Sequence, residues 1–304
     1  MFTHQADEED YCVVELIDFL RGRNEHSPLI GMLKQKLRSP KRIAFSNKFE
    51  EFKCINCTCD VYDVRISRAC SVIVAVTGEY FLFIDYETLE PKGRVATESF
   101  YFELEEDYDQ CGNDALLLFY DKEISKYDLK QFIEEKGCKP LWTYSNEIGY
   151  DTSEPINVMV LDGKKAVVFN SQNSMGFLDA KNGTLLDYTI KLEGAISGCF
   201  EADRKKPNTL YIFLKEMIKF EYENGDWKRT SFSVNIRSVD GLCMDRESGV
   251  LYFSGYCDGK CYISAYTTSG DLIAMHSVNC AGICIDERTG LMYLADGNKI
   301  SILR

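Results

Sequence analysis

The sequence predicts an all-β fold, a β-propeller with a short helical extension at its N-terminus, and three observations carry that prediction. The first is an internal repeat. Gly241-Leu242-Cys243-Met244-Asp245 and Gly282-Ile283-Cys284-Ile285-Asp286 match position by position, and Gly249, Leu251 and Tyr252 return as Gly290, Met292 and Tyr293 at the same offset of 41 residues. The second is its period, since units of roughly 40–50 residues built from short strands mark radial arrays. The third is composition: 45% hydrophobic and 12% aromatic, with 18 Tyr and 18 Phe, rings that pack well on pleated strands.

Taken in chain order, Tyr11 to Arg21 and Pro28 to Leu37 read as two short helices. Ser27 and Pro28 suit an N-cap and a first helical position. Val13, Leu16, Ile17 and Leu20 form one apolar stripe at helical spacing, and Leu29, Met32 and Leu33 a second. Residues 1–40 are therefore expected as a helical extension and 41–304 as the propeller. The first unit, about 59–98, holds strands around Ser71 to Val76 and Tyr80 to Ile84. The second, about 99–150, holds Phe100 to Leu104, Ala115 to Tyr120, Ile124 to Leu129 and Leu141 to Tyr144, with an insertion from Lys130 to Lys139 that reads as one helical turn.

The third unit, about 155–191, contains Asn157 to Leu161, Ala166 to Phe169, Gly176 to Asp179 and Leu185 to Lys191. The fourth, about 194–236, runs through Ser197-Gly198-Cys199-Phe200, Leu210 to Phe213 and Met217 to Tyr222. It then turns at Asn224-Gly225, a hairpin pair that tolerates positive φ, into Trp227 to Val234. The fifth and sixth units cover about 238–279 and 280–304. The last has only three strands, Gly282 to Asp286, Leu291 to Ala295 and Lys299 to Leu303. An open edge would remain, which propellers remove by borrowing a strand from the other terminus. The candidates are Arg42-Ile43-Ala44-Phe45 or Phe49-Glu50-Glu51-Phe52, within about 41–53. Six blades are favoured; seven would follow if the second unit conceals two.

From Gly282 through Asp296, and on to Asn298 and Ile300, the sequence resembles an NHL repeat. That pattern is Gly-Ile-x-hydrophobic-Asp, a turn glycine, a strand close to Tyr-Val-Ala-Asp, then an Asn before another hydrophobic strand. Residues 241–254 are similar over its first half, with Gly255 at the position of the final Asp, and residues 198–213 match faintly. The resemblance implies a six-bladed propeller. NHL propellers are protein- or RNA-binding platforms, and relatives with similar blades include lyases and lactonases; no functional-residue motif of the family matches. In the matched repeats each glycine permits a turn or a close approach, and each Asp accepts backbone N–H bonds in the turn after its strand.

A formal charge of −13 and a pI near 4.9 disfavour nucleic acid and anionic membrane surfaces. The charge is uneven. Residues 1–20 carry six acids and no Lys or Arg, whereas residues 21–48 carry eight bases against Glu25. Of these, Arg21, Arg23, Lys34, Lys36, Arg38, Lys41 and Arg42 form a candidate partner patch, set against the plainer reading of a solvated helical surface. The N-terminus lacks a basic signal-like region, and no stretch approaches the ~20 apolar residues of a membrane span. The 13 cysteines then read as thiols, and a cytoplasmic protein is expected.

Cys54-x-x-Cys57-x-Cys59 is the densest thiol cluster. A zinc site needs four N or S ligands, and His4, His26 and His276 are scattered. The three thiols are thus weak metal candidates, with Cys57 and Cys59 expected on one strand face, and no cofactor is expected. Cys243 and Cys284 share a repeat position, as small packing residues do. Cys257 and Cys261 flank a hairpin turn that would expose them as a pair. The acidic run Glu103 to Asp109 lacks the ligand spacing of a calcium loop and reads as a solvated connection. Phe45, Phe49 and Phe52 among basic residues resemble a stacking platform for single-stranded RNA, or the buried side of a closing strand. There is no Gly-x-Ser-x-Gly elbow and no Gly-rich phosphate loop.

The function expected is a non-enzymatic protein–protein interaction scaffold. Two alternatives stand beside it. One is a substrate-reading adaptor of a ubiquitin ligase, because the N-terminal helices loosely resemble an F-box-type segment without its Leu-Pro start. The other is a small-molecule hydrolase or lyase with its site in the propeller channel. An enzyme predicts acids or histidines converging in the funnel; apolar residues and thiols would argue against it. Partner identity, binding face and oligomeric state are not legible.

Overall fold

The computed structural model describes residues 42–304 apart from 121, 146–154, 172, 194–198, 204 and 258. The two expected helices and the patch residues Arg21, Arg23, Lys34, Lys36, Arg38 and Lys41 lie outside the described residues. Among those described, six four-stranded antiparallel sheets form a six-bladed β-propeller. The chain enters through β1 (Glu51–Asn56). Blade 1 is β2 (Val61–Ser67), β3 (Val72–Thr77), β4 (Tyr80–Asp85) and β5 (Pro91–Ala96). Blade 2 is β6 (Phe102–Glu105), β7 (Ala115–Tyr120), β8 (Glu123–Asp128) and β9 (Trp142–Ser145). Blade 3 is β10 (Ile156–Leu161), β11 (Lys164–Ser171), β12 (Ser174–Asp179) and the short β13 (Ile190–Lys191).

Blade 4 is β14 (Phe200–Ala202), β15 (Thr209–Phe213), β16 (Met217–Glu223) and β17 (Asp226–Phe232). Blade 5 is β18 (Ser238–Asp245), β19 (Val250–Cys257), β20 (Lys260–Tyr266) and β21 (Leu272–Ser277). Blade 6 takes β22 (Ile283–Asp286), β23 (Leu291–Asp296) and β24 (Lys299–Leu303) from the end of the chain, and β1 as its outer strand. β1 pairs antiparallel with β24, Glu51 opposite Leu303 and Asn56 opposite Lys299. This strand takes in Glu51 and Phe52 of the second tetrapeptide and runs on to Asn56. Phe45 and Phe49 lie before it, both buried in the seam between blades 5 and 6, where Phe45 meets Tyr252 edge-on at 5.7 Å. Phe49 stacks on His276 at 5.4 Å.

The core is divided, not central. Among the described residues six apolar clusters occur, one at each seam between neighbouring blades. The second strand of a blade is therefore covered on both faces. β3 reads Val-Ile-Val-Ala-Val-Thr with every residue buried. Large side chains such as Phe81, Phe83 and Phe102 are excluded from water, each contributing roughly 1.5–3 kcal/mol on full burial. The insertion in blade 2 is a helix, α1 (Leu129–Glu134), whose first turn is capped by the Asp128 carboxylate accepting from Gln131 N. Leu129 and Phe132 fasten it into the seam between blades 1 and 2.

The repeat residues act as their chemistry requires. Gly249 N donates to Asp245 O and Gly290 N to Asp286 O, each at 2.8 Å, with both glycines at positive φ. The Asp245 carboxylate accepts from Glu247 N and that of Asp286 from Arg288 N. Gly241 and Gly282 serve close approach instead. A Cβ on Gly241 would lie 2.3 Å from Ala281 O, and one on Gly282 would lie 2.6 Å from Asp63 Cα. Adjacent inner strands touch only because these positions have no side chain.

Candidate functional site

Inner strands alternate, so every second residue faces the channel. The registers place one residue of each blade at a common level: Arg65, Glu103, Asn157, Glu201, Cys243 and Cys284, opposite Val74, Leu117, Val168, Tyr211, Tyr252 and Tyr293 of the second strands. Arg65 Nη1 lies 2.6 Å from Asp63 Oδ1, and its Nε 3.3 Å from Glu103 Oε2. Burial opposes the Arg65 charge, but Asp63 and Glu103 outweigh it and hold the guanidinium charged. Asn157 Nδ2 donates to Glu201 Oε2 at 3.0 Å. Asp63 is buried, and desolvation pushes its carboxyl up to about 6 against the pull of Arg65.

The thiols in this wall are quiet. Desolvation pushes Cys199 and Cys284 up to about 12 and Cys243 well above the usual thiol range, so none supplies a thiolate near neutrality. Cys243 and Cys284 do share a position, as their spacing indicated, but they face the channel as well as the seams. At the face where each inner strand begins, Tyr62, Asp63, Arg65, Tyr101, Asp240 and Gly282 help to line a cavity of about 30 Å³. Around its mouth Tyr62 and Phe100 are each 40% exposed and meet edge-on at 5.1 Å. Tyr120 and Tyr256 are also exposed on this face, and the Tyr120 hydroxyl bonds the Glu98 carboxylate.

The opposite end of the channel is bridged by charge. Arg246, in the hairpin after β18, reaches Glu106 across the ring at 3.2 Å and Glu287 of the next blade at 2.8 Å. Lys165 Nζ donates to the main-chain oxygens of Glu106 and Asp107. Behind this bridge Lys126 Nζ sits 2.7 Å from Glu105 Oε2, a charge contact without hydrogen-bond alignment, and donates to Ala180 O at 2.7 Å.

Several sequence expectations change here. The acidic run is not a solvated connection throughout: Glu103 and Glu105 are buried on β6, one in the channel and one in the Lys126 pair, and only the residues after them form a turn. Cys54 is exposed on β1, whereas β1 ends at Asn56 and leaves Cys57 and Cys59 half-buried in the connection to β2, not on a strand face. Cys59 lies 3.5 Å from the Tyr80 hydroxyl. Among the described residues no group of three or more His, Cys, Asp or Glu side chains is arranged to hold a metal. Cys257 and Cys261 are not an exposed pair; Cys257 is buried, and Cys261, opposite Tyr256, contacts Asn279 Oδ1 at 3.1 Å. Of Phe45, Phe49 and Phe52 only Phe52 is exposed, beside Lys53 and Arg304. Arg42, the one patch residue described, is exposed. Among the described residues no helix is long and apolar enough to cross a membrane.

Arg65 and Asp63 were missed from sequence because β2 lacks the Gly and Asp of the repeat. The alternation Asp63-Val64-Arg65-Ile66-Ser67, standing just before the apolar β3, is the signal that locates them. No family model matches the chain, and no curated protein does. Its fold is similar to the crystal structure of the β-propeller domain of Myceliophteria thermophila Cps50 (Swd1), with a TM-score of 0.60 at 10% identity over 84% of this chain and 99% of that one.

Proposed function

We propose that this chain is a protein-interaction scaffold whose binding surface is the face bearing Tyr62, Phe100, Tyr120 and Tyr256. The observation that carries the reading is the pairing of an exposed aromatic rim with a nearly filled channel. Tyrosine offers large contact area with a polar tip at little entropic cost, which favours it at protein interfaces. A cavity of about 30 Å³ has room for about two waters. Against a hydrolase or lyase in the channel, three of the acids there are engaged, Asp63 and Glu103 by Arg65 and Glu201 by Asn157, while Asp240 lines the mouth. The ubiquitin-ligase adaptor reading rests on residues 1–40, outside the described residues. NHL-type blades accord with the scaffold reading through the repeats at 241–254 and 282–300.

The test is a quantitative affinity capture with the full chain and the Tyr62→Ala/Phe100→Ser variant. Both residues are substantially exposed, so the variant is expected to keep its melting temperature and lose its specific partners. Capture of the same partners at the same level by both proteins would refute this face as the binding surface.

A further inference from the structure

The turns that follow the inner strands of blades 4, 5 and 6 share one device. Asp203, Asp245 and Asp286 each stand two residues after the channel-facing Glu201, Cys243 and Cys284, which lie opposite Tyr211, Tyr252 and Tyr293 of the second strands. In each turn Oδ1 of the acid accepts main-chain N–H groups: Lys205 N and Lys206 N in blade 4, Glu247 N in blade 5 and Arg288 N in blade 6. Oδ2 serves the neighbouring seam. That of Asp245 accepts from Phe45 N at 3.1 Å and Ser248 Oγ at 2.7 Å, while the Tyr252 hydroxyl donates to Asn47. That of Asp286 accepts from the Arg68 guanidinium, the Tyr86 hydroxyl and Thr289 Oγ1. Blade 4 departs from this pattern. Asp203 is 2% exposed and Tyr211 fully buried, yet Asp203 Oδ2 and the Tyr211 hydroxyl have no hydrogen-bond partner among the described residues. Lys206 replaces the hydroxyl residue that Ser248 and Thr289 supply three places after the acid. Arg246, which follows Asp245 as Arg68 follows Ser67, is turned away to Glu106 and Glu287. Blade 5 thus withholds from blade 4 the guanidinium that blade 1 gives to blade 6, and Lys205 Nζ donates to Glu247 O instead.

We propose that the seam between blades 4 and 5 binds a monovalent alkali cation through Asp203 Oδ2, the Tyr211 hydroxyl oxygen and Thr268 Oγ1. Burial pushes the Tyr211 hydroxyl up and the Asp203 charge adds to it, whereas Thr268, in the turn between β20 and β21, pulls it down. Both side chains therefore stand beside that hydroxyl. A donor set of oxygens alone suits a hard cation. With a single carboxylate among them, one positive charge completes the neutralisation, whereas calcium collects about 6–8 oxygen ligands. A buried carboxylate oxygen without a counter-charge is costly, and the equivalent oxygen of blade 6 is met by a cation, Arg68. The ion takes the place of that guanidinium. The net charge of −13 raises the local concentration of cations around the chain. Bound there, the ion ties Asp203 of blade 4 to Thr268 of blade 5 and stiffens the seam.

Crystals of the full chain grown in rubidium chloride, with data collected at the rubidium edge, test this directly. An anomalous peak is expected between Asp203 Oδ2 and the Tyr211 hydroxyl; no peak there, or a water alone, would overturn the site. Melting temperatures in potassium, sodium and tetramethylammonium chloride at equal ionic strength give the counterpart in solution. The parent is expected to gain stability that saturates with alkali concentration, and to gain none from tetramethylammonium, which is too large to enter. Asp203→Asn is expected to lose that gain. Tyr211→Phe keeps the ring and the carboxylate, and is expected to move the half-maximal alkali concentration upward; it serves as the readout if Asp203→Asn folds poorly. Equal melting temperatures of the parent in all three salts, or a gain that both variants keep unchanged, would sink the proposal. The capture comparison decides the scaffold separately.

Discussion

Replacing Lys126 by methionine asks what the buried Lys126–Glu105 pair is worth. Both side chains are 2% exposed. Burial pushes the Lys126 ammonium below its ordinary range even though Glu105 lies beside it, so desolvation outweighs the attraction recovered. A pair of this kind contributes little net stability while intact, yet losing one partner strands the other. Methionine keeps the stem and removes the charge, leaving Glu105 with only Lys165, 3.4 Å away and 40% exposed. Stranding a buried charge costs about 3–5 kcal/mol, and that residual contact points to the lower end. A loss of about 3 kcal/mol corresponds to a fall of roughly 6–12 °C in melting temperature for a domain of this size. Glu105→Leu alone is expected to cost a similar amount by stranding Lys126. The double variant Lys126→Met/Glu105→Leu is expected within about 1 kcal/mol of the parent, or above it. Urea unfolding followed by circular dichroism and tryptophan fluorescence reads this out, because Trp142 Nε1 donates to the same Ala180 carbonyl as Lys126. A double variant no more stable than the worse single one, or a harmless Lys126→Met, would refute the reasoning.

Two further outcomes are expected. Gly282→Ala places a Cβ 2.6 Å from Asp63 Cα and 3.0 Å from Tyr62 O, contacts that only a backbone shift relieves, so a loss of about 1–3 kcal/mol or more is expected in thermal denaturation; an unchanged melting temperature would contradict the tight inner ring. Asp63 keeps its proton up to about 6 in the fold, whereas the unfolded chain releases it near ~4. The stability this adds is fully present below ~4 and is lost as pH rises through about 6. The stability difference between the parent and Asp63→Asn is therefore expected to shift in favour of the variant across that window, measured by urea midpoints at pH 4 to 7.5, and a flat difference would count against the assignment.

What was legible in the sequence depended on where the physics writes its constraints. The turns after β18 and β22 require Asp and Gly at fixed places, so blades 5 and 6 were plain. Asn224-Gly225 announced the β16–β17 hairpin, and both residues take positive φ there. The second and third strands were traceable because seams on both sides demand apolar residues. The inner strand of blade 1, β2, was not, because a channel-facing position tolerates Arg65 as readily as the acid, amide or thiol found there in other blades. The same freedom disguised Glu103 and Glu105 as part of a surface loop, since their partners Arg65 and Lys126 come from β2 and β8. Asp240 was hidden for the opposite reason: a carboxylate before a repeat glycine looks like any exposed acid until the ring closes a cavity around it.

The pairing of Glu51 with Leu303 also has a meaning in time. A ribosome adding roughly 5–20 residues per second needs some tens of seconds to travel between these partners. Throughout that interval β1 waits without its ladder, and the growing array of blades exposes apolar seam residues at its unfinished end. Contacts so distant along the chain are formed late and slowly. The ring therefore matures only once β24 has emerged from the ribosome. A nonsense change removing β24 would abolish closure everywhere at once, not trim one edge.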